Sequence, residues 1–595
     1  MKNKKPEMKK ERRVHDSRKV KDFRDLISYS TKQYSKNVAY KYKKDYTAKN
    51  PEYIEKTYED VGKDIKAFGT GLLNLDLQKK KIILIGSNRY EWCISYLTVT
   101  SSNMIIVPID RQLPENEIEK LIARSEAEAI IFEKKYLETV KKAKENKENN
   151  LKILISMDDI KEKGILTFND IVKKGREEIL NGDKKYENIE INPNEMSIML
   201  FTSGTTNEPK AVMLSQRNIC ANLDCISGWV KLYEEDTLLS FLPMHHTFET
   251  TITFLYGFYS GSTVAFCDGL KYIQKNLQEY KISIFVAVPL VLETMYKKIQ
   301  KGIEEQGKTK LINNMIKISN TLLKAKIDLR KVFFKPILDK FGGNLRLVLY
   351  GAAAMSKDTI LGYKNLGISS IQGYGLTETS PVIAAETDKE QRPGSVGVPF
   401  DNLEVKIENK NEEGIGEIVV KGPSIMLGYY KNPEETKKVL KEGWFYTGDY
   451  GYLDEDGFLY VTGRKKDIIV LRNGKNVYPQ ELEFLINKIP YIKESLVYSR
   501  EKDKTDTMLC AKIVYDEENI KKALGEKEEN KYKETIWQEI KKINQELPIY
   551  KRIKDITLTK EEFKKTTTQK VKRYEELKKV WSFLGRTKKG STKNK

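Results

Sequence analysis

Short runs of β-branched and other apolar residues at 82–85, 105–107, 129–132 and 153–155 alternate with longer stretches of helical periodicity. This alternation constrains the fold more than any other feature, because a buried strand followed by a helix-length crossover implies a parallel sheet covered on both faces. Further strand candidates at 197–201, 238–241, 285–288 and 345–350 each lead into a loop rich in Gly, Pro, Ser or Thr. Ligands in such doubly wound α/β folds sit where strands end, so these loops are the first places to look for chemistry.

A chain of 595 residues exceeds what one hydrophobic core usually supports, which predicts a large domain and a smaller one. Residues 301–338 depart from the alternation: Leu311, Ile312, Met315, Ile316, Leu322, Leu323 and Ile327 recur at helical spacing among many lysines, predicting an amphipathic helical insertion. Beyond Gly463 the character changes again, so a boundary is expected near Gly463 to Lys466. The resulting division is a basic disordered arm over 1–22, a large domain over 23–463, a small domain over 464–582 and a basic tail over 583–595.

Hydrophobic residues make up 39% of the chain and charged residues 32%, and no stretch approaches the roughly 20 apolar residues that span a bilayer, which predicts a soluble protein. The formal charge of +20 is concentrated at the ends. Residues 1–22 carry ten Lys/Arg against four Asp/Glu, and residues 583–595 carry five against none. Such blocks read as solvated tails, with attraction to anionic headgroups as the alternative. Nucleic-acid binding is not expected, because neither block interleaves aromatics with its charges. Five cysteines without paired spacing, and no legible secretory leader, predict a reducing cytoplasmic setting, with peripheral contact at the inner face of the membrane as the variant. With only His15, His245 and His246 to accompany them, a Cys/His metal site is not expected.

The segment Thr202-Ser203-Gly204-Thr205-Thr206-Asn207-Glu208-Pro209-Lys210 follows a buried-strand pattern. Gly204 permits a tight turn, the hydroxyls of Ser203, Thr205 and Thr206 can donate to phosphate oxygens, and Lys210 supplies positive charge. The Gly-Lys-Ser/Thr ending of the common nucleotide loop is missing, and composition alone leaves a polar turn open. In Gln372-Gly373-Tyr374-Gly375-Leu376-Thr377-Glu378, the glycines allow close backbone approach and Tyr374 offers a ring for stacking. Thr377 can bond a phosphate, and Glu378 is a hard oxygen ligand suited to Mg²⁺. Tyr446-Thr447-Gly448-Asp449 sets a carboxylate with two acceptor oxygens directly after a glycine.

These segments, in this order over residues 22–573, resemble the adenylate-forming superfamily of acyl-CoA synthetases, peptide-synthetase adenylation domains and luciferases. The resemblance implies a large domain of doubly wound mixed sheets plus a β-barrel-like subdomain, with a small α+β domain on a hinge. It makes 202–210 the signature phosphate loop, Gly351-Ala352-Ala353 with 372–375 the adenine-binding turn, Thr377 the α-phosphate ligand and Glu378 the Mg²⁺ ligand. Asp449 is then the ribose residue, and Gly463-Arg464-Lys465-Lys466-Asp467 the hinge, with Arg464 directed to ribose or phosphate and Lys466 at the pivot. Leu242-Pro243-Met244-His245-His246 matches the motif whose His246 walls the carboxylate pocket, without proton transfer. Gly474 leaves room for the pantetheine arm, and Lys570 is the lysine brought to the adenylation site. Gln569 stands where relatives commonly have Gly, so the register among Lys565, Lys570 and Lys572 stays open.

The insertion followed by Phe341-Gly342-Gly343 is similar to long-chain fatty acyl-CoA synthetases. The implied reaction joins a fatty acid to ATP, releases pyrophosphate, and passes the acyl group from AMP to CoA. Acyl carrier protein as acceptor, or another carboxylic acid by the same chemistry, is the alternative.

Overall fold

The computed structural model describes residues 12–202, 209–351, 355–471, 475–501, 507–525, 529–566 and 571–590. Ser203 to Glu208, Ala352, Ala353, Gly474 and Lys570, all named above as site residues or parts of the phosphate loop, lie outside the described residues. The chain forms two compact units, Met1–Val405 with Val420–Phe445, and Lys406–Val419 with Tyr446–Lys595.

Two sheets organise the larger unit. The first runs in the order Gly428–Tyr429, Lys210–Ser215, Met196–Thr202, Ile105–Pro108, Lys81–Ile85, Ala129–Phe132, Ile153–Ser156, Leu166–Thr167. Its central strands are parallel, with Ile83 opposite both Val107 and Ile130. Ile118, Leu121, Ile122 and Val140 from the crossover helices Glu115–Ser125 and Leu137–Glu145 join the core over these strands, which explains their nearly continuous apolar character.

The second sheet has nine strands, in the order Val398–Pro399, Val382–Ala385, Ser369–Gly375, Leu347–Tyr350, Ile284–Ala287, Thr237–Ser240, Thr263–Phe266, Val38–Lys43, Tyr53–Thr57. All eight runs read as strands in the sequence are strands here, with ends that differ by at most two residues. The insertion is helical, with Pro289–Glu305, Thr309–Lys324, Arg330–Phe333 and Lys335–Leu338, and its Ile312, Met315 and Ile316 pack on the core of the nine-stranded sheet.

A five-stranded sheet is built from Glu404–Glu408, Gly416–Lys421, Trp444–Leu453, Leu440–Lys441 and Leu459–Arg464. The smaller unit holds the three-stranded sheet Ile492–Glu501, Thr507–Tyr515, Asp555–Thr559. Ile536 and Ile540 from the helix Glu529–Glu546 join its core. Among the described residues no helix is long and apolar enough to cross a membrane.

The two ends differ from the expectation of solvated tails. Residues 12–22 are seated on the larger unit: Arg13 bonds both Asp224 and Asp401 at 3.0 Å, His15 meets Asp388 at 2.6 Å, and the backbone of Val14 donates to Gly228. A Cβ at Gly228 would come within 2.8 Å of the Arg13 side chain, so the lack of a side chain there makes the seat. Charge counting missed this because the partners are acids far away in sequence. At the other end, the backbone helix Arg573–Gly590 takes in residues 583–590 that were assigned to the tail.

Candidate functional site

In the larger unit, the candidate residues cluster at strand ends. Thr202 closes the strand Met196–Thr202 and lies opposite Lys210 across an antiparallel pair. Tyr350 and Gln372 are neighbours on adjacent parallel strands, and the Tyr350 hydroxyl donates to Gln372 Oε1 at 3.3 Å. Gly351 and Gly373 follow them, with so little space that a Cβ on Gly351 would lie 3.1 Å from the Gly373 carbonyl. At Gly375 a Cβ would fall 1.8 Å from the Pro381 carbonyl, so only glycine fits the turn that carries the chain from Tyr374 to Thr377.

Thr377 and Glu378 stand on the short 3₁₀ turn Thr377–Thr379 directly after that strand. Glu378 Oε1 accepts the Tyr429 hydroxyl at 2.9 Å, and its backbone carbonyl accepts Met426 N–H. Among the described residues Oε2 of Glu378 has no hydrogen-bond partner, so a half-buried carboxylate is oriented through one oxygen while the other can serve a hard cation. Lys210 reaches the same tyrosine from the other side. Its ammonium sits 4.9 Å from the Tyr429 ring and 2.7 Å from Glu435, whose carboxyl is held down at about 2 by Lys210 and Lys438. Tyr429 therefore links the residue read as metal ligand to the lysine read as phosphate contact.

Sequence reasoning missed Tyr429 and Glu435. A signal was present in Asn432-Pro433-Glu434-Glu435, an N-cap followed by Pro at the first helical position: Asn432 caps the helix Pro433–Val439 by accepting from Glu435 N–H.

His246 lies on the loop after Thr237–Ser240, with its ring centroid 4.0 Å from that of His245. Burial holds His245 down at about 3, so it is neutral, while Phe248 lines a small apolar cavity of about 40 Å³. Ile226, Trp229, Leu349 and Val382 form other walls, and Gln372 and Gly373 of the adenine-turn segment close one side. Glu249 is fully buried, accepts Ser240 Oγ and Thr253 Oγ1, and is pushed up by burial to about 8. A carboxyl whose folded value is raised from 4.5 to about 8 gives stability that is full below 4.5 and is lost as pH rises through 8. Glu249→Gln should therefore raise the melting temperature at pH 8 and leave it nearly unchanged at pH 4.5; calorimetry at the two pH values reads this directly.

In the smaller unit, Asp449 is 4% exposed and pairs across the strands with Arg464, whose Nε is 2.7 Å from Oδ1. Gly448 before it has φ +69°, a left-handed conformation that turns the strand at this point. Lys466 follows on the short turn Lys465–Asp467, where Lys465 is tied to Glu417 at 2.7 Å. Lys565 and Val571 form an isolated bridge, and Lys572 N–H donates to Lys564 O. Lys565 is bound to Glu494 at 2.5 Å and Lys572 to Glu575 at 3.3 Å. Arg573 forks onto Glu483 at 2.7 and 2.8 Å, anchoring the end of this segment.

Solved structures with this fold include an anthranilate CoA ligase, AuaEII, in complex with anthranoyl-AMP, at TM-score 0.74 and 20% identity, with 95% of this chain and 98% of that one covered. ATP-bound MatB from Rhodopseudomonas palustris matches at TM-score 0.70 and 19% identity, over 93% and 98% of the two chains. The fold is thus that of a two-domain adenylate-forming enzyme. The chain belongs to the AMP-binding enzyme family: the family profile matches residues 30–430, and that of the AMP-binding enzyme C-terminal domain matches 466–580.

Among curated relatives, long-chain-fatty-acid–CoA ligase 6 of Mus musculus is 30% identical over 457 residues, covering 72% of this chain and 65% of the mouse protein. Fatty acyl-CoA synthetase B of Dictyostelium discoideum is 30% identical over 463 residues, covering 72% and 67%. A chloroplastic long-chain-fatty-acid–[acyl-carrier-protein] ligase, AEE15, of Arabidopsis thaliana is 27% identical over 561 residues, covering 82% and 76%.

Proposed function

We propose that the protein activates a fatty acid, long-chain in preference, by attack of its carboxylate on the α-phosphate of ATP, and then transfers the acyl group from AMP to CoA. The observation that carries this reading is the strand-end cluster in which Tyr429 ties Glu378, at 2.9 Å, to Lys210, 4.9 Å from its ring, and the 30% identity to long-chain-fatty-acid–CoA ligase 6 of Mus musculus supports a fatty acid as the acid. The first step brings two anions together, so electrostatic screening is its main demand. Thr202, Ser203, Gly204, Thr205, Thr206 and Lys210 would serve the phosphates. Gly351, Ala352, Ala353 and residues 372–375 would take the adenine, Thr377 the α-phosphate and Asp449 with Arg464 the ribose. Mg²⁺ would be held at Glu378, where it supplies further charge neutralisation. Lys570 would complete the screening from the smaller domain, a role supported by the carboxylate of Glu494, which already holds Lys565 at 2.5 Å.

The thiol of the second step approaches a face that Lys570 covers in the first, so we assign a swing about Lys466 between two geometries, with Gly474 clearing the pantetheine path. The domain limits of this reading are 23–463 and 464–582. We place the protein in the cytoplasm, with peripheral contact at the inner face of the membrane, a setting that its positive net charge favours.

A second acceptor is supported by the Arabidopsis acyl-carrier-protein ligase, whose alignment covers more of this chain than that of the mouse relative. Incubating the protein with a fatty acid, ATP and either CoA or holo acyl carrier protein decides the acceptor: acyl-CoA as the main product supports the first reading, and acyl-carrier protein alone replaces it with the second.

Tyr429→Phe should leave the fold intact but free Glu378 Oε1 from its only side-chain donor among the described residues. The Mg²⁺ concentration for half-maximal adenylation should rise about tenfold, in line with loss of a hydrogen bond to a charged group. A magnesium titration with unchanged KM for the fatty acid separates this effect from general damage.

A further inference from the structure

The helical insertion carries a surface that neither the fold nor the adenylation site requires. Thr309–Lys324 packs Ile312, Met315 and Ile316 on the core, yet Leu311 and Ile318 are 55% and 54% exposed. Seven residues apart, these two lie on one line along the helix at the edge of its apolar arc. Lys310, Lys317 and Lys324 form a parallel row about 100° further round, at the same seven-residue spacing. Ile327 and Val332, in the segment that follows, are also exposed, at 48% and 69%.

The charge is equally one-sided. Residues 289–340 contain 12 Lys/Arg against 5 Asp/Glu. Lys301 and Lys335 have Glu305 and Asp339 within 3.9 and 2.9 Å, whereas Lys310, Lys317 and Lys324 meet no carboxylate within 4.0 Å among the described residues. An exposed aliphatic line beside an unneutralised lysine row matches one environment in both respects: the interface of an anionic bilayer, where aliphatic side chains enter the acyl boundary and ammonium groups stay among the phosphates. A protein partner would have to supply acids and an apolar strip in register, which no feature of the patch specifies.

We propose that the helix Thr309–Lys324, with Ile327 and Val332, docks the enzyme on an anionic lipid surface, and that this face rather than the basic termini makes the main contact. The proposal is independent of the acyl acceptor and of the adenylation reading. It is tested by flotation of the full chain with vesicles of phosphatidylglycerol and phosphatidylcholine in equal parts, and with phosphatidylcholine alone. Wild type should float with the anionic vesicles only. The triple change Lys310→Gln, Lys317→Gln, Lys324→Gln should lower the partition coefficient on the order of a hundredfold. Leu311→Ser with Ile318→Ser should lower it on the order of tenfold. Changing Arg586, Lys588, Lys589, Lys593 and Lys595 to Gln should change it less than either. Because the substituted patch residues are exposed, melting temperatures should stay within a degree or two of wild type. The proposal is overturned if both patch variants float like wild type, if only the C-terminal variant loses flotation, if wild type floats with neither vesicle, or if the patch instead drives a dimer in ultracentrifugation that the Leu311/Ile318 variant abolishes.

Discussion

Lys570→Ala should abolish formation of the acyl-adenylate while sparing the second half-reaction, so that presynthesised acyl-adenylate and CoA are still converted to thioester. The asymmetry follows from charge. Attack on the α-phosphate brings two anions together and gathers negative charge on the phosphoryl oxygens that a lysine ammonium can screen, whereas thiol attack starts at an uncharged acyl carbon and develops its charge on the acyl oxygen. Removing one preorganised donor from such a site lowers turnover by about 10²- to 10³-fold. Lys572→Ala is the matched control, since the exposed Lys572 pairs with Glu575 at 3.3 Å and a surface pair contributes roughly 1 kcal/mol or less. Pyrophosphate release reads the first step and thioester formation from supplied adenylate the second; loss of both in Lys570→Ala would contradict the assignment.

Asp449→Asn should weaken ATP binding by about 10- to 100-fold, the range expected when a charge-assisted hydrogen bond is lost. The side chain is 6% exposed and already oriented by Arg464 at 2.7 Å, so the amide changes chemistry more than shape. One acceptor oxygen becomes an NH₂ donor, which cannot receive a ribose hydroxyl and lies beside a guanidinium that has nothing to accept. The diagnostic comparison is with 2′-deoxy-ATP. Wild type should prefer ATP, while the variant should have lost most of that preference; equal discrimination in both would place the ribose elsewhere. A merely structural role for Asp449 would lower both nucleotides alike.

Eight of the strands were legible because buried parallel strands are written as local apolar runs, and the strand-end glycines because close approach admits no other residue. Gly375, with Pro381 O at 1.8 Å from its would-be Cβ, is the clearest instance. Asp449 and Arg464 were named separately, and it is the pairing of their two strands that sets them side by side. What stayed hidden were contacts between residues remote in sequence. Arg13 finds Asp224 and Asp401 more than 200 and 380 residues away, so a segment that reads as a charge block is a seated strap. Tyr429 joins Glu378 to Lys210 only because Gly428–Tyr429 pairs with Lys210–Ser215, an edge pairing that two residues of sequence could not announce. Burial had the same effect on Glu249: its carboxyl reads as an ordinary acid in the sequence, and only the surrounding core raises it.

The central claim is that a fatty acid carboxylate is joined to the α-phosphate of ATP. Exchange of labelled pyrophosphate into ATP, measured over saturated acids of increasing length in the absence of any thiol, tests it most directly. The account predicts exchange that depends on added fatty acid and is strongest for long chains. Exchange supported only by aryl or amino acids, or no acid-dependent exchange at all, would contradict it.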